Sequence, residues 1–413
     1  MIDYQEIILN NGLQVLIHED HSSPQAVVNM LYNVGSKDEE TTKTGFAHLF
    51  EHLMFGGSVN IPSYDTPLQK VGGENNAFTT PDITNYYLTL PSSNLETAFW
   101  LESDRMLGLS FDPQVLEVQR KVVIEEFKQR YLNQPFGDAW LKLRPLAYKR
   151  HPYQWATIGK DISHIEKASM DDVKDFFRKY YHPGNAVMVV AGDVTPSNVQ
   201  ELCEKWFTGI PKGPDNHRIL TPEPKQQEAR LLELSSDMQV SAFYQVFHIP
   251  ARYQPEYYQA DLVSDILGRG KSSRLYQKLV KEQPLFSSIS AHVTGSLDPG
   301  LLVVQGKLVD GISCETGHKA VRQVMDSFLA ACIDDKELDK VKNQAESSLV
   351  FSEINLLNRA MSLAVAAAAG NADYANQEPE IIRSITARQI MNMAHEILRE
   401  ENSSTLYYHK KSA

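Results

Sequence analysis

Residues 44–56 read TGFAHLFEHLMFG, an apolar run interrupted by three ionisable side chains. Its apolar residues follow helical spacing, so the stretch predicts an α-helix that stops near Gly56 and the glycine after it. On such a helix His48, Glu51 and His52 lie on one face, because residues three and four apart are neighbours. Burial of these groups is costly unless they share a task.

The spacing of these three side chains is typical of a metal-dependent hydrolase. Two neutral imidazoles four residues apart can bind one Zn²⁺ from consecutive turns. Glu51 then lies beside the metal without being a ligand, and it can take a proton from a zinc-bound water molecule. A histidine pair alone is more often structural, and the added Glu51, in a run without Lys, Arg or Asp, favours the metal.

A third ligand is expected, since a catalytic zinc ion takes three protein ligands and keeps one position open. The candidates are Glu125 and Glu126 in QRKVVIEEFKQR, residues 119–130. Glu126 shares a predicted helix face with Val122 and Val123, whereas Glu125 is rotated away by about 100°. A carboxylate that faces apolar side chains is costly without a metal or partner, so the pattern favours Glu126 without excluding Glu125.

The composition indicates a globular protein and disfavours several classes of function. The chain has 413 residues, 42% of them hydrophobic, and a net charge of −12, which argues against a nucleic-acid partner. Its three cysteines lie far apart and predict neither a disulfide framework nor a thiolate zinc site. We see no signal peptide and no apolar run of about 18 residues, so we expect a cytoplasmic protein without a membrane span. A periplasmic location is the alternative if a signal peptide has been removed.

The order of predicted elements indicates an α+β fold in two halves. Residues 211–229 contain four prolines and no hydrophobic periodicity, which predicts a linker. The segments after it repeat the order of those before it, as VSAFYQVFHIP at 240–250 echoes AVVNMLYNVG at 26–35. We therefore predict a first domain at 1–215, a linker at 216–229 and a second domain at 230–413. Each domain is expected to be a mostly antiparallel sheet with helices packed on it.

His48-Leu49-Phe50-Glu51-His52 is the inverted zinc motif H-x-x-E-H. With GGENNAFTTPDITNYY at residues 72–87 and QRKVVIEEF at residues 119–127, the chain resembles the M16 metallopeptidases of the pitrilysin or insulinase type along essentially its whole length. Its size resembles the short, processing-peptidase-like (M16B) subunits of that family. The resemblance implies two repeated domains of the mitochondrial-processing-peptidase/LuxS-like type.

The resemblance also implies roles for the residues that match family motifs. His48, His52 and Glu126 are expected to hold one Zn²⁺ per chain, and Glu51 is expected to be the general base of a peptide-bond hydrolase.

An edge strand is implied as the place where a peptide or unfolded segment lies extended. The residues of this predicted substrate-binding strand are Asn76, Ala77, Phe78 and Thr79. Many family members carry a second glutamate seven residues before the third ligand. Here that position is Gln119, which can form a hydrogen bond but carries no charge.

The second half departs from the family pattern. Active single-chain and homodimeric members resemble one another in an Arg and, seven residues later, a Tyr that reach the substrate. Aligned through GRGKSSRLY at residues 268–276, these positions hold Val280 and Ser287, neither of which can replace a donor to a substrate carbonyl. The resemblance thus implies a heterodimer with a sister M16 subunit, or alternatively a homodimer. A non-catalytic core subunit of the same fold is the competing function, and the complete zinc motif argues against it.

Overall fold

The computed structural model of this chain describes residues 1–216 and 218–411 and divides into two compact units. His217, in the predicted linker, and the last two residues lie outside the described part. Unit 1 consists of Met1–Lys128, Trp155–Leu220 and Val350–Gln377, and unit 2 consists of Gln129–Gln154, Thr221–Leu349 and Glu378–Ala413.

The described residues contain eleven strands and fifteen α-helices. The strands are β1 (Gln5–Ile8), β2 (Gln14–Glu19), β3 (Gln25–Tyr32), β4 (Glu74–Thr79), β5 (Thr84–Pro91), β6 (Ala186–Gly192), β7 (Arg230–Ser236), β8 (Ala242–His248), β9 (Phe286–Val293), β10 (Leu301–Leu308) and β11 (Ser403–Lys410). The helices are α1 (Phe46–Leu53), α2 (Asp65–Lys70), α3 (Leu95–Leu107), α4 (Pro113–Phe127), α5 (Ala139–Ala147), α6 (Ile162–Glu166), α7 (Met170–Tyr180), α8 (Pro196–Trp206), α9 (Pro255–Gly268), α10 (Arg274–Tyr276), α11 (Cys314–Ala330), α12 (Asp335–Glu353), α13 (Leu356–Ala368), α14 (Tyr374–Ser384) and α15 (Ala387–Ile397).

Each unit is built on one sheet, and apart from the additional strand β1 the two sheets repeat one strand order. The sheet of unit 1 runs β1-β2-β6-β3-β5-β4, and that of unit 2 runs β7-β11-β8-β10-β9. Only β2 with β6 and β7 with β11 pair in parallel; the other neighbours are antiparallel. The predicted α+β fold with two repeated, mostly antiparallel sheets is therefore confirmed.

Central strands in both sheets are largely buried, and helices pack on them. Strand β6, AVMVVAG, is buried along its whole length, as expected for a strand between two layers of helices. In unit 1, α13 lies against β3 and β6, and its small side chains, such as Ala360 and Ala364, are fully buried. In unit 2, α5 packs through Leu143 and Ala147 into a buried cluster with Val246 of the sheet.

The compact units do not follow chain order. Helix α5 comes from the first half of the sequence but belongs to unit 2, and α13 comes from the second half but belongs to unit 1. Each sheet therefore takes one covering helix from the other half of the chain, which sequence periodicity cannot reveal. The predicted boundaries 1–215, 216–229 and 230–413 stay a prediction about the repeat, and they differ from this spatial division. The described residues of the predicted linker contain neither helix nor strand.

In the described ranges no single helix combines the length and the apolar composition of a membrane span, and α12 with α13 meets those criteria only as a bent pair.

The packing of α5 predicts a large effect of one substitution on stability. Leu143 is fully buried, so Leu143→Ala should lower the free energy of unfolding by about 2–5 kcal/mol. Lys142→Ala, at the exposed neighbouring position, should change it by less than about 0.5 kcal/mol. Urea unfolding followed by circular dichroism measures both variants. Equal midpoints for the two would contradict the packing of α5 in unit 2.

Candidate metal centre

Helix α1 begins at a residue that has to be glycine. Gly45 has a φ of +90°, and a Cβ atom there would lie 2.7 Å from the carbonyl oxygen of Ile158. The Glu39 carboxylate accepts hydrogen bonds from the N–H groups of Gly45 at 2.9 Å and Ala47 at 2.8 Å. It thereby satisfies two of the donors that a helix start leaves unpaired, and its charge faces the positive end of the helix dipole.

Glu39 is itself fixed by a second contact. The indole N–H of Trp155 donates to the Ser36 carbonyl at 2.8 Å and to the Glu39 carboxylate at 3.1 Å. Burial raises the pKa of Glu39 well above its usual range, and the N–H groups of Ala47 and Gly45 oppose that rise. The buried carboxylate thus joins the loop before α1, the start of α1 and the segment at Trp155.

The structure brings together the three predicted metal ligands. The Nε2 atoms of His48 and His52 lie 3.6 Å and 3.5 Å from Oε2 of Glu126. The two imidazole rings are perpendicular, with their centroids 4.9 Å apart. All three side chains are half-buried, and one nitrogen or oxygen atom of each lies within 4.8 Å of the others.

Glu126, and not Glu125, faces the histidines. Helix α4 begins at Asp112, whose carboxylate accepts from the N–H of Gln114 at 2.8 Å. Near its end the Glu125 side chain is 59% exposed and pairs with Lys128 at 2.6 Å, whereas the Glu126 side chain is 18% exposed.

The helix-face argument for Glu126 holds only in part. Of the two valines expected on its face, Val123 is 1% exposed but Val122 is 44% exposed. Glu126 therefore lies at the border between the buried and the exposed sides of α4.

The three side chains fit a zinc ion. Two imidazoles and one carboxylate are a donor set of catalytic zinc sites, with bonds of about 2.0–2.2 Å at tetrahedral angles. Such bonds separate the ligand atoms from one another by about 3.3–3.6 Å. The distances of 3.5 Å and 3.6 Å between Glu126 and the histidines lie in that range.

One further group of possible ligands occurs in the described part of the chain. Glu233, Glu315 and His409 of unit 2 also lie within 4.8 Å of one another, but both carboxylates are exposed. His409 pairs with Glu233 at 3.0 Å, and Glu315 lies in the first turn of α11, where the helix dipole favours an acid. Ordinary contacts thus explain this second group.

Glu51, the predicted general base, is bound to the predicted substrate strand. The hydroxyl of Thr79 donates to Oε2 of Glu51 at 2.5 Å. Thr79 is the last residue of β4, which forms one edge of the sheet in unit 1. The four residues predicted to bind substrate therefore lie on an edge strand, and one of them touches Glu51.

Half of the main-chain groups of β4 point away from the sheet. The N–H of Thr80 donates to the Ile83 carbonyl at 2.8 Å, and antiparallel pairing alternates between inward and outward residues. Asn76 and Phe78 therefore bond to β5, while Ala77 and Thr79 direct their main-chain groups outward. In agreement, the Ala77 N–H donates to the side-chain oxygen of Asn76 at 2.8 Å instead of to a strand.

Val280 and Ser287, the positions that hold Arg and Tyr in other family members, offer no unpaired hydrogen-bond donor in their side chains. Val280 packs on the hydrophobic core of unit 2, and the exposed Ser287 donates its hydroxyl proton to the Lys307 carbonyl at 3.1 Å. Arg274, in the segment 268–276 that anchors this alignment, forms an ion pair with Glu337.

Gln119 is half-buried on α4, and its side chain makes no hydrogen bond with any residue the structure describes.

Sequence reasoning missed Glu39 and Trp155, which hold the start of α1. Glu39 lies in the charged run SKDEETTK, residues 36–43, and nothing in that run distinguishes it from Glu40. Glu40 is exposed in the structure. The contact between Thr79 and Glu51 was also not foreseen, because it joins residues of two different elements.

Comparisons with known proteins agree with this arrangement. Residues 14–145 match the family described as insulinase, peptidase family M16, and residues 167–345 match the family described as the peptidase M16 inactive domain. The zinc protease PqqE of Helicobacter pylori is 31% identical over 354 residues, which cover 84% of this chain and 79% of that protein. A probable mitochondrial-processing peptidase subunit beta of Arabidopsis thaliana is 24% identical over 362 residues, 83% of this chain and 66% of that protein. The crystal structure of a protease from Helicobacter pylori has a TM-score of 0.93 at 27% identity and covers 99% of this chain and 100% of that one.

The different exposure of the two neighbouring glutamates predicts different effects on metal binding. Glu126→Gln should weaken zinc binding by more than about 100-fold, since loss of a mere outer partner of a ligand already costs about 10- to 100-fold. Glu125→Gln is the matched control and should leave the affinity unchanged. Competition titration with a zinc chelator measures both. Equal affinities for the two variants would exclude Glu126 as a ligand.

Proposed function

This chain belongs to the insulinase family of peptidases, family M16, and we propose that it is a zinc-dependent endopeptidase. The observation that carries this proposal is the convergence of His48, His52 and Glu126 in one half-buried group. Glu51, which lies on helix α1 with the two histidines, is the proposed general base. The expected substrates are peptides or unfolded protein segments.

The proposed reaction needs a metal and one carboxylate. A zinc ion held by His48, His52 and Glu126 supplies Lewis-acid polarisation of the scissile carbonyl and of water. Glu51 accepts the proton from the attacking water and delivers it to the leaving amine. The hydroxyl of Thr79 donates to Oε2 of Glu51, and we assign this proton transfer to the Glu51 carboxylate.

Strand β4 is the proposed binding site for the peptide. An extended peptide can add to the open edge by main-chain hydrogen bonds with Ala77 and Thr79, a mode that tolerates many sequences. The Asn76 side chain, which now accepts from the Ala77 N–H, has to give way to a peptide carbonyl. Phe78, half-buried on the same strand, belongs to the proposed strand without offering outward main-chain groups.

A sister M16 subunit is proposed to complete the active site. Transition-state charge on the scissile carbonyl requires hydrogen-bond donors, and Val280 and Ser287 offer none that is free. The similarity to a processing-peptidase subunit beta supports a heterodimer. A homodimer is the alternative, and a cytoplasmic location remains our prediction.

The role of Glu51 is tested by one isosteric change. Glu51→Gln should lower kcat by about 10²- to 10⁴-fold, since it removes a general base, while zinc content is kept. The rate of cleavage of a quenched peptide library is measured with the zinc-loaded chain alone and with its sister subunit. Glu125→Gln is the control and should be fully active. Activity that survives in Glu51→Gln would contradict the mechanism, and activity of the chain alone would contradict the need for a partner.

Peptide binding along β4 is tested by backbone methylation. A peptide that adds to an edge strand bonds through alternate residues only. Methylation of an N–H that points toward β4 should weaken binding by about 5- to 10-fold, the effect of one lost hydrogen bond of about 1–1.4 kcal/mol. Methylation of the next residue should have little effect. Fluorescence anisotropy with inactive Glu51→Gln protein measures the dissociation constants, and equal values along the peptide would exclude strand addition.

A further inference from the structure

We propose that Thr79 is a positioning residue that links peptide binding along β4 to the orientation of Glu51; this inference rests on the proposed function. Thr79 is the last residue of the open edge, because the Thr80 carbonyl that follows accepts from the N–H of Ser36 at 3.2 Å. The hydroxyl of Thr79 donates to Glu51 Oε2 at 2.5 Å. The proposed peptide strand and the proposed base thus meet at one residue.

The main-chain groups and the side chain of Thr79 point in different directions. Its main-chain groups point outward, by the alternation that the pair Thr80 and Ile83 fixes. Its side chain contacts Glu51 of α1. A threonine has few χ1 rotamers, so the direction of its hydroxyl follows the direction of its backbone. A peptide that pairs with Thr79 therefore restrains the residue that holds Glu51.

The hydroxyl does two things for the carboxylate. A hydrogen bond to a charged acceptor is short and strong, so it holds Glu51 in one orientation although a glutamate side chain has several rotatable bonds. It also engages Oε2, one of the two oxygens of the carboxylate. Without this donor Glu51 loses one contact that fixes its orientation, and fewer of the bound peptides are attacked.

Three variants test this role in the peptidase, with the sister subunit added if the chain alone is inactive. Thr79→Val keeps the shape and removes the donor; it should lower kcat by about 10- to 100-fold, the effect of a lost hydrogen bond to a charged group, and change KM by less than about threefold. Thr79→Ser keeps the donor and should retain kcat within about threefold. The control is Thr89→Val on β5, half-buried like Thr79, with a side chain that makes no hydrogen bond to any described residue. It should be fully active.

A measurement without catalysis tests the contact itself. In metal-free protein, the shifts in Tm caused by Thr79→Val and Glu51→Ala should be non-additive in the double variant by at least about 2 °C, because the two side chains interact. Thr89→Val with Glu51→Ala should be additive. Additive shifts for Thr79 and Glu51 would overturn the contact, and equal kcat values for Thr79→Val and Thr89→Val would overturn the positioning role. If the contact is found but no form of the protein shows activity that depends on Glu51, the proposed function fails and the positioning role fails with it.

Discussion

A single buried carboxylate fixes the start of the helix on which the proposed chemistry depends. Glu39 binds the first N–H groups of α1 and the indole of Trp155. A buried carboxylate is costly unless its oxygens are bound, and these three donors offset part of that cost. Because the start of α1 is held on both sides, the helix has one orientation. His48 and His52, one turn apart on this helix, face Glu126.

Helix α1, which carries the two histidines, contacts both the peptide strand β4 and helix α4 in unit 1. Helix α1 follows β3 and precedes β4 in sequence, and β4 is the outermost strand of the sheet. An edge strand is normally a liability, since its unpaired groups invite other strands. Here the open edge strand contacts Glu51 through Thr79. The fold therefore places the proposed polypeptide-binding edge beside the proposed base. The equivalent edge strand of unit 2, β9, has no such histidine pair near it in sequence.

The sequence predicted the structural features that depend on the spacing of neighbouring residues. Helical periodicity predicted a helix with His48, Glu51 and His52 on one face, and the structure has this helix at Phe46–Leu53. Contacts between distant segments were not predictable. The local sequence does not reveal that α5 belongs to unit 2 and α13 to unit 1, since a covering helix is amphipathic whichever sheet it covers. Glu39 likewise differs from its neighbour Glu40 only in its tertiary contacts. The predicted apolar face of α4 was also wrong at one residue, since Val122 is exposed and Val123 is buried.

Anomalous X-ray diffraction at the zinc absorption edge, from crystals of the protein prepared with one equivalent of zinc, tests the central claim most directly. The account predicts one strong peak per chain within about 2.0–2.2 Å of the Nε2 atoms of His48 and His52 and of a Glu126 oxygen. A peak at Glu233 and His409 instead, or no peak between α1 and α4, would contradict it.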